Sequence, residues 1–174
     1  MLLQSIKLEN FRQFVKDEID FSTDSTRNVT LIIGENGTGK TTFAQAFFWC
    51  LYGETDFNDK ILLNRDVANH LTPDELATVR VTLRLTHGDG LYTIIRKQDY
   101  KKNYSAKLAG GNTELSISMK MPDGNTRYLK PNECEAEIKK ILPKELSRYF
   151  FFDGERVERM SKEISSGKKS QGFA

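Results

Sequence analysis

Alternating apolar and polar positions dominate the middle of the chain and predict antiparallel strands. From Ala77 to Leu85 every second residue is apolar, which is typical of a strand with one buried face. A turn at residues 87–90 and a second apolar run, Leu91–Arg96, complete a predicted hairpin. Further strand candidates, on either side of a Pro-Asp-Gly-Asn turn, are Leu115–Met121 and Thr126–Leu129. The middle of the chain is therefore predicted to be an antiparallel β layer.

The N-terminal part contains two more strand candidates and one run that is almost entirely apolar. Leu2–Glu9 and Val15–Phe21 are predicted to pair across the turn Asn10–Phe14. The run Val29–Ile33 is apolar apart from Thr30, so it predicts a buried strand. Together with the helices described next, these elements predict an α/β fold in which the antiparallel layer lies beside a mixed sheet.

The main helix candidate is Thr41–Tyr52, with Gly53 in the position that a helix C-cap favours. Its apolar residues lie nearly all round, which indicates burial on most sides, and we expect a second lobe or subunit to cover part of it. Asn132–Leu142 is predicted as another helix with Asn132 as its N-cap. Later helix candidates begin near Pro143 and near Glu155.

Composition narrows the class of protein without naming a partner. A chain of 174 residues suffices for one domain with a core, and a net charge of +2 neither requires nor excludes nucleic acid. Cys50 and Cys134 are too few and too far apart for a disulfide framework or a zinc site. The sequence has no 18-residue apolar span and no signal-peptide pattern, so we expect a cytoplasmic protein without a membrane partner.

The residues from Gly34 to Thr41 fill every fixed position of the phosphate-binding loop G-x-x-x-x-G-K-[ST]. The loop lies between a predicted strand and a predicted helix, which is the context that the motif requires. Backbone amides and the helix N-terminus would hold the phosphates of a nucleoside triphosphate. Lys40 would reach the β- and γ-phosphates, and the Thr41 hydroxyl would hold Mg²⁺. The predicted nucleotide-binding residues of the loop are Asn36, Gly37, Thr38, Gly39, Lys40, Thr41 and Thr42.

A second candidate segment, Tyr149–Glu155, has four bulky apolar residues followed by Asp-Gly-Glu. As a Walker B strand, it would use Asp153 to support Mg²⁺ through water and Glu155 as a base for the attacking water. Alternatively, the segment leaves the core and Asp153 turns the chain toward the γ-phosphate. A purely structural interpretation is an aromatic wedge followed by an Asp-Gly turn. The spacing leaves all three open.

The order of motifs resembles the N-terminal lobe of the SMC-like, ABC-type ATPases of DNA repair and restriction. The similarity includes an opening strand with an Asn-Phe-Arg-x-Phe turn, the phosphate loop, and a helix that ends in Leu-Tyr-Gly. It continues in a hairpin of the form Val-x-Val-x-Leu … Tyr-x-Ile-x-Arg, at Val79–Leu83 and Tyr92–Arg96. Within that group, the string Phe150–Glu155 most resembles the DndD-type ATPases of DNA phosphorothioation systems.

The resemblance implies ATP and Mg²⁺ as ligands and assigns further site residues. It suggests that Arg12 contacts a nucleotide phosphate, and it places Asp153 in the Q-loop, which usually reads Gln-Gly-Glu. An Asp there still offers an oxygen to a hydrated metal. Lys40 and Asp153 are therefore the predicted catalytic residues, and Thr41 and Asp153 the predicted metal contacts.

The resemblance also implies that the active site is composite. A Walker B Asp-Glu pair, a Ser-Gly-Gly signature and a switch His would lie on a C-terminal lobe beyond a coiled coil, and none is recognisable here. We expect an N-terminal lobe at 1–164, and the composition of residues 165–174 predicts a linker-like, disordered tail. The implied partners are that C-terminal lobe, a second head across ATP, DNA reached through the full head, and other proteins of a DNA modification system.

Two rival functions and one possible DNA contact remain open at the level of sequence. The chain is alternatively a stand-alone P-loop NTPase or kinase with Asp153 as Walker B, or an ATPase subunit of a transporter. Five basic residues and two tyrosines at one hairpin end, between Arg96 and Lys107, either contact a DNA backbone or form a solvated face.

Overall fold

The computed structural model describes residues 1–150, with the backbone alone for residues 148–150. The chain divides into two compact units, Met1–Ile141 and Leu142–Ala174, and the described part of the second unit contains one helix, α4. The strands are β1 Leu2–Phe11, β2 Phe14–Asp20, β3 Leu76–His87, β4 Gly90–Lys102, β5 Leu108–Lys120 and β6 Thr126–Tyr128. The helices are α1 Lys40–Tyr52, α2 Arg65–His70, α3 Pro131–Ile141 and α4 Lys144–Phe150.

The six strands form one sheet in the order β2-β1-β3-β4-β5-β6. Every neighbouring pair is antiparallel, so the predicted antiparallel layer and the α/β class are confirmed. The predicted pairings of β1 with β2 and of β3 with β4 are present. Within residues 1–150 no parallel pair occurs, so this part of the chain does not contain the mixed sheet that was expected beside the layer.

One face of the sheet forms the core. The strand register places Leu83 opposite both Ile6 and Ile94, and all three side chains are fully buried. Arg80 and Arg84 alternate with the buried residues of β3 and lie on the exposed face. This arrangement is common in antiparallel sheets with one solvated face. Helix α1 packs against β3 and β4, and α3 packs against β5.

Helix α1 fits the prediction closely. It ends at Tyr52, and Gly53 takes the left-handed conformation (φ 73°) with its N–H donating to the Trp49 carbonyl over 2.8 Å. Aromatic pairs attach the helix to β1, to β2 and to the residue that follows β2. Their ring centroids lie 6.5 Å apart for Phe14–Phe43, 5.9 Å for Phe21–Phe47 and 5.6 Å for Phe11–Trp49.

Arg96 of β4 fixes the C-terminal end of α1. Its Nε donates to the Cys50 carbonyl over 3.0 Å, and its Nη2 donates to the Leu51 carbonyl over 3.2 Å. A cation is favoured at this end of a helix, where the last carbonyls lack helical partners. A Cβ at Gly53 would lie 3.0 Å from Nη1 of Arg96, so glycine serves both the backbone conformation and this close approach. Arg96 as a whole is 7% exposed.

Cys50 is a buried packing residue, as its position in the helix predicts. The side chain is fully buried, and burial raises the pKa of its thiol to about 12. The thiol is therefore protonated and unreactive at neutral pH.

The predicted strand at Val29–Ile33 is not formed. Its apolar side chains are exposed, with Val29 82%, Leu31 78% and Ile33 83% accessible. A strand that is apolar on both faces becomes stable only between neighbouring strands and under covering layers. The six-stranded sheet supplies neither for this run.

The predicted N-cap at Asn132 is wrong, because α3 begins one residue earlier, at Pro131. Proline favours the first helical position, where its missing N–H has no cost. The Glu133 carboxylate accepts from the Lys130 N–H over 3.0 Å, which is one half of a capping box. The helix predicted near Pro143 corresponds to α4, and the one predicted near Glu155 lies outside the described residues.

Replacing Arg96 by Met tests whether Arg96 stabilises the C-terminal end of α1. The variant keeps an apolar stem but leaves two carbonyls at the helix end without donors, so the free energy of unfolding should fall by about 2–4 kcal/mol. Urea denaturation measures the change. Arg84→Met, on the exposed face of β3, is the matched control and should change stability by less than about 0.5 kcal/mol. Equal losses in the free energy of unfolding of both variants would contradict this role of Arg96.

Candidate functional site

The segment that precedes α1 has the backbone of a tight glycine turn. Gly37 (φ 86°) and Gly39 (φ 106°) adopt conformations that residues with a Cβ rarely take. Within the loop, the Thr38 hydroxyl donates to the Glu35 carbonyl over 2.8 Å. The spacing of glycines in the sequence is therefore a requirement of the backbone.

The N-terminus of α1 is open for an anion. Its N-cap residue, Gly39, has no side chain to bond the first amides, and the first turn carries no acidic residue. Unpaired N–H groups and the positive end of the helix dipole favour a negatively charged ligand here. This donor set fits a phosphate group.

The side chain of Lys40, the first residue of α1, lies against the loop. Its Nζ donates to the Gly34 carbonyl over 2.6 Å and to the Glu35 carbonyl over 2.7 Å, and the side chain is exposed. Thr41 follows in the first turn of α1 and is exposed, so its hydroxyl can reach a metal ion bound to the same phosphates. Asn36 and Thr38 are also exposed, whereas Thr42 is half-buried.

The turn between β1 and β2 borders this loop. A Cβ at Gly39 would collide with the side-chain amide of Gln13 and would lie 3.2 Å from Cζ of Phe14. Gln13 is not among the site residues that the sequence predicts. The available signal was its place beside Arg12 in the Asn-Phe-Arg-x-Phe turn.

Arg12 is held by the segment that follows α1. Its Nη1 donates to the Ile61 carbonyl over 2.7 Å and lies 3.2 Å from Oδ2 of Asp59. The guanidinium carbon is 4.7 Å from the centroid of the Phe57 ring, within the range of a cation–π contact. The hydrogen bond from the Ile61 amide, and to a smaller extent the one from Arg12, holds the pKa of the Asp59 carboxyl below its ordinary value. Arg12 is thus an oriented side chain, and its predicted phosphate contact stays a prediction.

Asn64 connects the same turn to α2 and was also missed. It is 3% exposed, and its Nδ2 donates to the Arg12 carbonyl over 2.7 Å. Its Oδ1 accepts from the N–H groups of Asp66 (2.9 Å) and Val67 (3.2 Å), so it is the N-cap of α2. An Asn just before a short helix was the only sequence signal.

The basic hairpin end offers fewer free groups than its sequence indicates. Arg96 and Tyr100 are buried, and the Tyr100 hydroxyl accepts from the Leu62 N–H over 3.0 Å. Lys101 pairs with Asp74 at 2.8 Å. Lys97 likewise pairs with Glu114, at 3.0 Å. These pairs favour the solvated-face interpretation over a DNA contact.

Asp153 and Glu155 lie outside the described residues, so their predicted roles stay predictions. Within residues 1–150, no group of three His, Cys, Asp or Glu side chains is placed to hold a metal ion. In the same part of the chain, no helix has the length and apolar character needed to cross a membrane.

Comparisons with known proteins match the chain to one family model and to curated relatives. A family model described as AAA domain matches residues 5–172. The C subunits of the nuclease SbcCD from Staphylococcus aureus strains MRSA252 and JH9 are each 31% identical to this chain over 97 residues. The match covers 56% of this chain and 9% of each relative, so the chain corresponds to a small part of those proteins.

Solved structures also match the chain, among them one from work on "Structural biochemistry of ATP-driven dimerization and DNA stimulated activation of SMC ATPases". The similarity covers 94% of this chain and 99% of that chain, with a TM-score of 0.41 and 15% sequence identity.

Replacing Tyr100 by Phe tests the packing behind the Arg12 turn. Burial raises the pKa of Tyr100, so its hydroxyl is protonated at neutral pH and donates to Oε1 of Gln98 over 3.0 Å. Loss of the hydroxyl leaves the Leu62 N–H without its acceptor, and the free energy of unfolding should fall by about 1–2 kcal/mol in urea denaturation. Tyr128→Phe, at a residue that is 78% exposed, is the control and should have almost no effect.

Proposed function

The chain belongs to the AAA domain family, whose model matches residues 5–172, and we propose that it binds ATP with Mg²⁺ as the N-terminal lobe of an SMC-like ATPase head that acts on DNA. In this proposal the lobe supplies one half of a composite site. Hydrolysis to ADP and phosphate requires a C-terminal lobe and a second head.

The observation that carries the proposal is the phosphate loop at the start of α1. Glycines with positive φ, an uncapped helix N-terminus and the Lys40 ammonium within the loop all favour a triphosphate. When ATP is bound, Lys40 exchanges its bonds to loop carbonyls for bonds to phosphate oxygens. The amides from Asn36 to Thr42 then bind the remaining phosphate oxygens.

Further residues complete the proposed site. The Thr41 hydroxyl would hold Mg²⁺, and Arg12 would contribute positive charge beside the phosphates. Asp153, which the resemblance assigns to the Q-loop, would offer an oxygen to the hydrated metal. Mg²⁺ would neutralise charge on the β- and γ-phosphates, and Lys40 and Asp153 would support the attack of water.

The exposed run Val29–Ile33 supports the composite site. Three of its apolar side chains are about four-fifths accessible, although contiguous apolar patches of this kind are uncommon on isolated soluble domains. The run leads directly into the phosphate loop, so a strand formed here would also fix the loop. We propose that the C-terminal lobe of the same ATPase supplies the neighbouring strands.

Similarity to the C subunits of the nuclease SbcCD supports a DNA-linked role. A head-to-head homodimer across ATP, and partner proteins of a DNA modification system, belong to the same proposal. The finer assignment, a DndD-type ATPase of DNA sulfur modification, rests on the string Phe150–Glu155.

Lys40→Ala tests the nucleotide site. The variant removes the charge-assisted bonds to the phosphates, so the affinity for Mg·ATP should fall by about a hundredfold or more. Isothermal titration calorimetry on the 174-residue chain measures it. Lys120→Ala, which removes an exposed lysine at the end of β5, is the control and should bind as the parent does. Retained binding in Lys40→Ala would refute the central claim.

Mixing the chain with a separately supplied C-terminal lobe tests the composite site. ATP turnover should be negligible for either part alone and should appear in the mixture. Leu31→Lys should abolish this gain because it places a charge in the run that the lobe covers. Leu76→Lys, at another exposed leucine, should leave the gain intact.

The same assay separates the proposal from its rival. Strong turnover by the chain alone that is lost in Asp153→Ala would overturn the composite site and favour a stand-alone NTPase or kinase with Asp153 as Walker B.

A further inference from the structure

We propose that Asn64 is a positioning residue for the phosphate loop. It fixes Arg12 in the β1–β2 turn, and the two residues that follow Arg12 border Gly39. The inference rests on the proposed function, since it assigns a role in ATP binding to a residue that does not itself touch the loop. It adds to the site a side chain from the segment that follows α1.

The first step is how Asn64 holds the turn. Its side-chain Nδ2 donates to the Arg12 carbonyl over 2.7 Å, and its backbone N–H donates to the Asn10 carbonyl over 2.9 Å. The Arg12 N–H in turn donates to the Leu62 carbonyl over 2.7 Å. Because Asn64 is 3% exposed, water does not replace these bonds when one is lost.

The second step is that the turn needs external support. Asn10 (φ 54°) and Arg12 (φ 55°) are both left-handed, a conformation that residues with a Cβ adopt rarely. Such backbone persists where surrounding contacts fix it. The bonds from Asn64 reach the carbonyls of these two residues, so they stabilise the strained part of the turn.

The third step is the contact between turn and loop. Gln13 and Phe14 follow Arg12, and both lie against Gly39 so closely that a Cβ there would displace them. The Phe14 ring also packs edge-on against Phe43 in α1, at 6.5 Å between centroids. A change in the turn therefore alters the surroundings of Gly39 at the start of α1.

The two functions of Asn64 can be separated by substitution. Its Oδ1 caps α2, and serine is an equally good N-cap because its hydroxyl accepts from the same amides. The serine hydroxyl lies one bond from Cβ, so while it accepts from the amides of α2 it is too short to reach the Arg12 carbonyl as the Asn64 amide group does. Asn64→Ser therefore removes the bond to the turn and retains the cap. Ala68→Gly is the complementary control, since it weakens α2 and leaves Asn64 intact.

The experiment compares the parent chain, Asn64→Ser and Ala68→Gly. Calorimetry gives the affinity for Mg·ATP, and NMR of the nucleotide-free chain gives the amide shifts of Gly39 and Lys40. Asn64→Ser should weaken binding by up to about tenfold, because ATP must then reorder the released turn at a cost bounded by one buried hydrogen bond, and it should shift both amides. Ala68→Gly should change neither. Unchanged affinity and shifts in Asn64→Ser, or equal effects in Ala68→Gly, would overturn the proposal.

A measurement on the parent chain covers the case in which Asn64→Ser does not fold. Mg·ATP should slow hydrogen exchange of the Arg12 and Asn64 amides, both of which are bonded within the turn. Unchanged exchange on ATP binding would overturn the inference. If the parent chain binds no ATP, the proposed function fails instead, and the Gly39 and Lys40 shifts in nucleotide-free Asn64→Ser still test the contact between turn and loop.

Discussion

The buried guanidinium of Arg96 bonds two carbonyls in the last turn of α1, and this contact sets where the helix lies on the sheet. The helix is about 20 Å long, and its other end carries the phosphate loop. That end is bordered by Gln13 and Phe14 from the β1–β2 turn. One sheet therefore restrains α1 at both ends. A rigid helix held in this way gives Lys40 a defined position without any direct contact from the core.

Two kinds of interaction support the candidate site, and they act at different places. Apolar and aromatic packing attaches the body of α1, through Phe43, Phe47 and Trp49, and its hydrophobic driving force is non-directional. Directional hydrogen bonds from Arg96 and Asn64 act at the ends, where backbone groups would otherwise lack partners. The polar bonds thus supply the precision that packing alone lacks.

The candidate site also has an exposed apolar segment on one side. The apolar run Val29–Ile33 leads into the phosphate loop but is exposed in this part of the chain. Its composition suits a central strand, which has a neighbouring strand on each side. The antiparallel sheet ends at the edge strands β2 and β6, and the run is not one of its strands. In the proposed head, the lobe that pairs with this run would fix the loop at the same time. Binding of nucleotide and assembly of the head would then be linked through one segment.

The sequence by itself determined the elements whose signals are local. Alternation predicted the hairpins, glycine spacing predicted the phosphate loop, and Gly53 predicted the end of α1. Local rules failed where competing signals were close, as at α3, where Pro131 and not Asn132 defines the start.

Only the tertiary structure revealed Gln13, Asn64 and Arg96 as supports of the site. Their partners lie far away along the chain, 52 residues in the case of Asn64 and Arg12. Sequence patterns report on neighbours within a few residues, whereas these contacts depend on which strands pair and which helix covers them. For the same reason Val29–Ile33 was predicted as a strand, although the strands that would stabilise it are absent from residues 1–150.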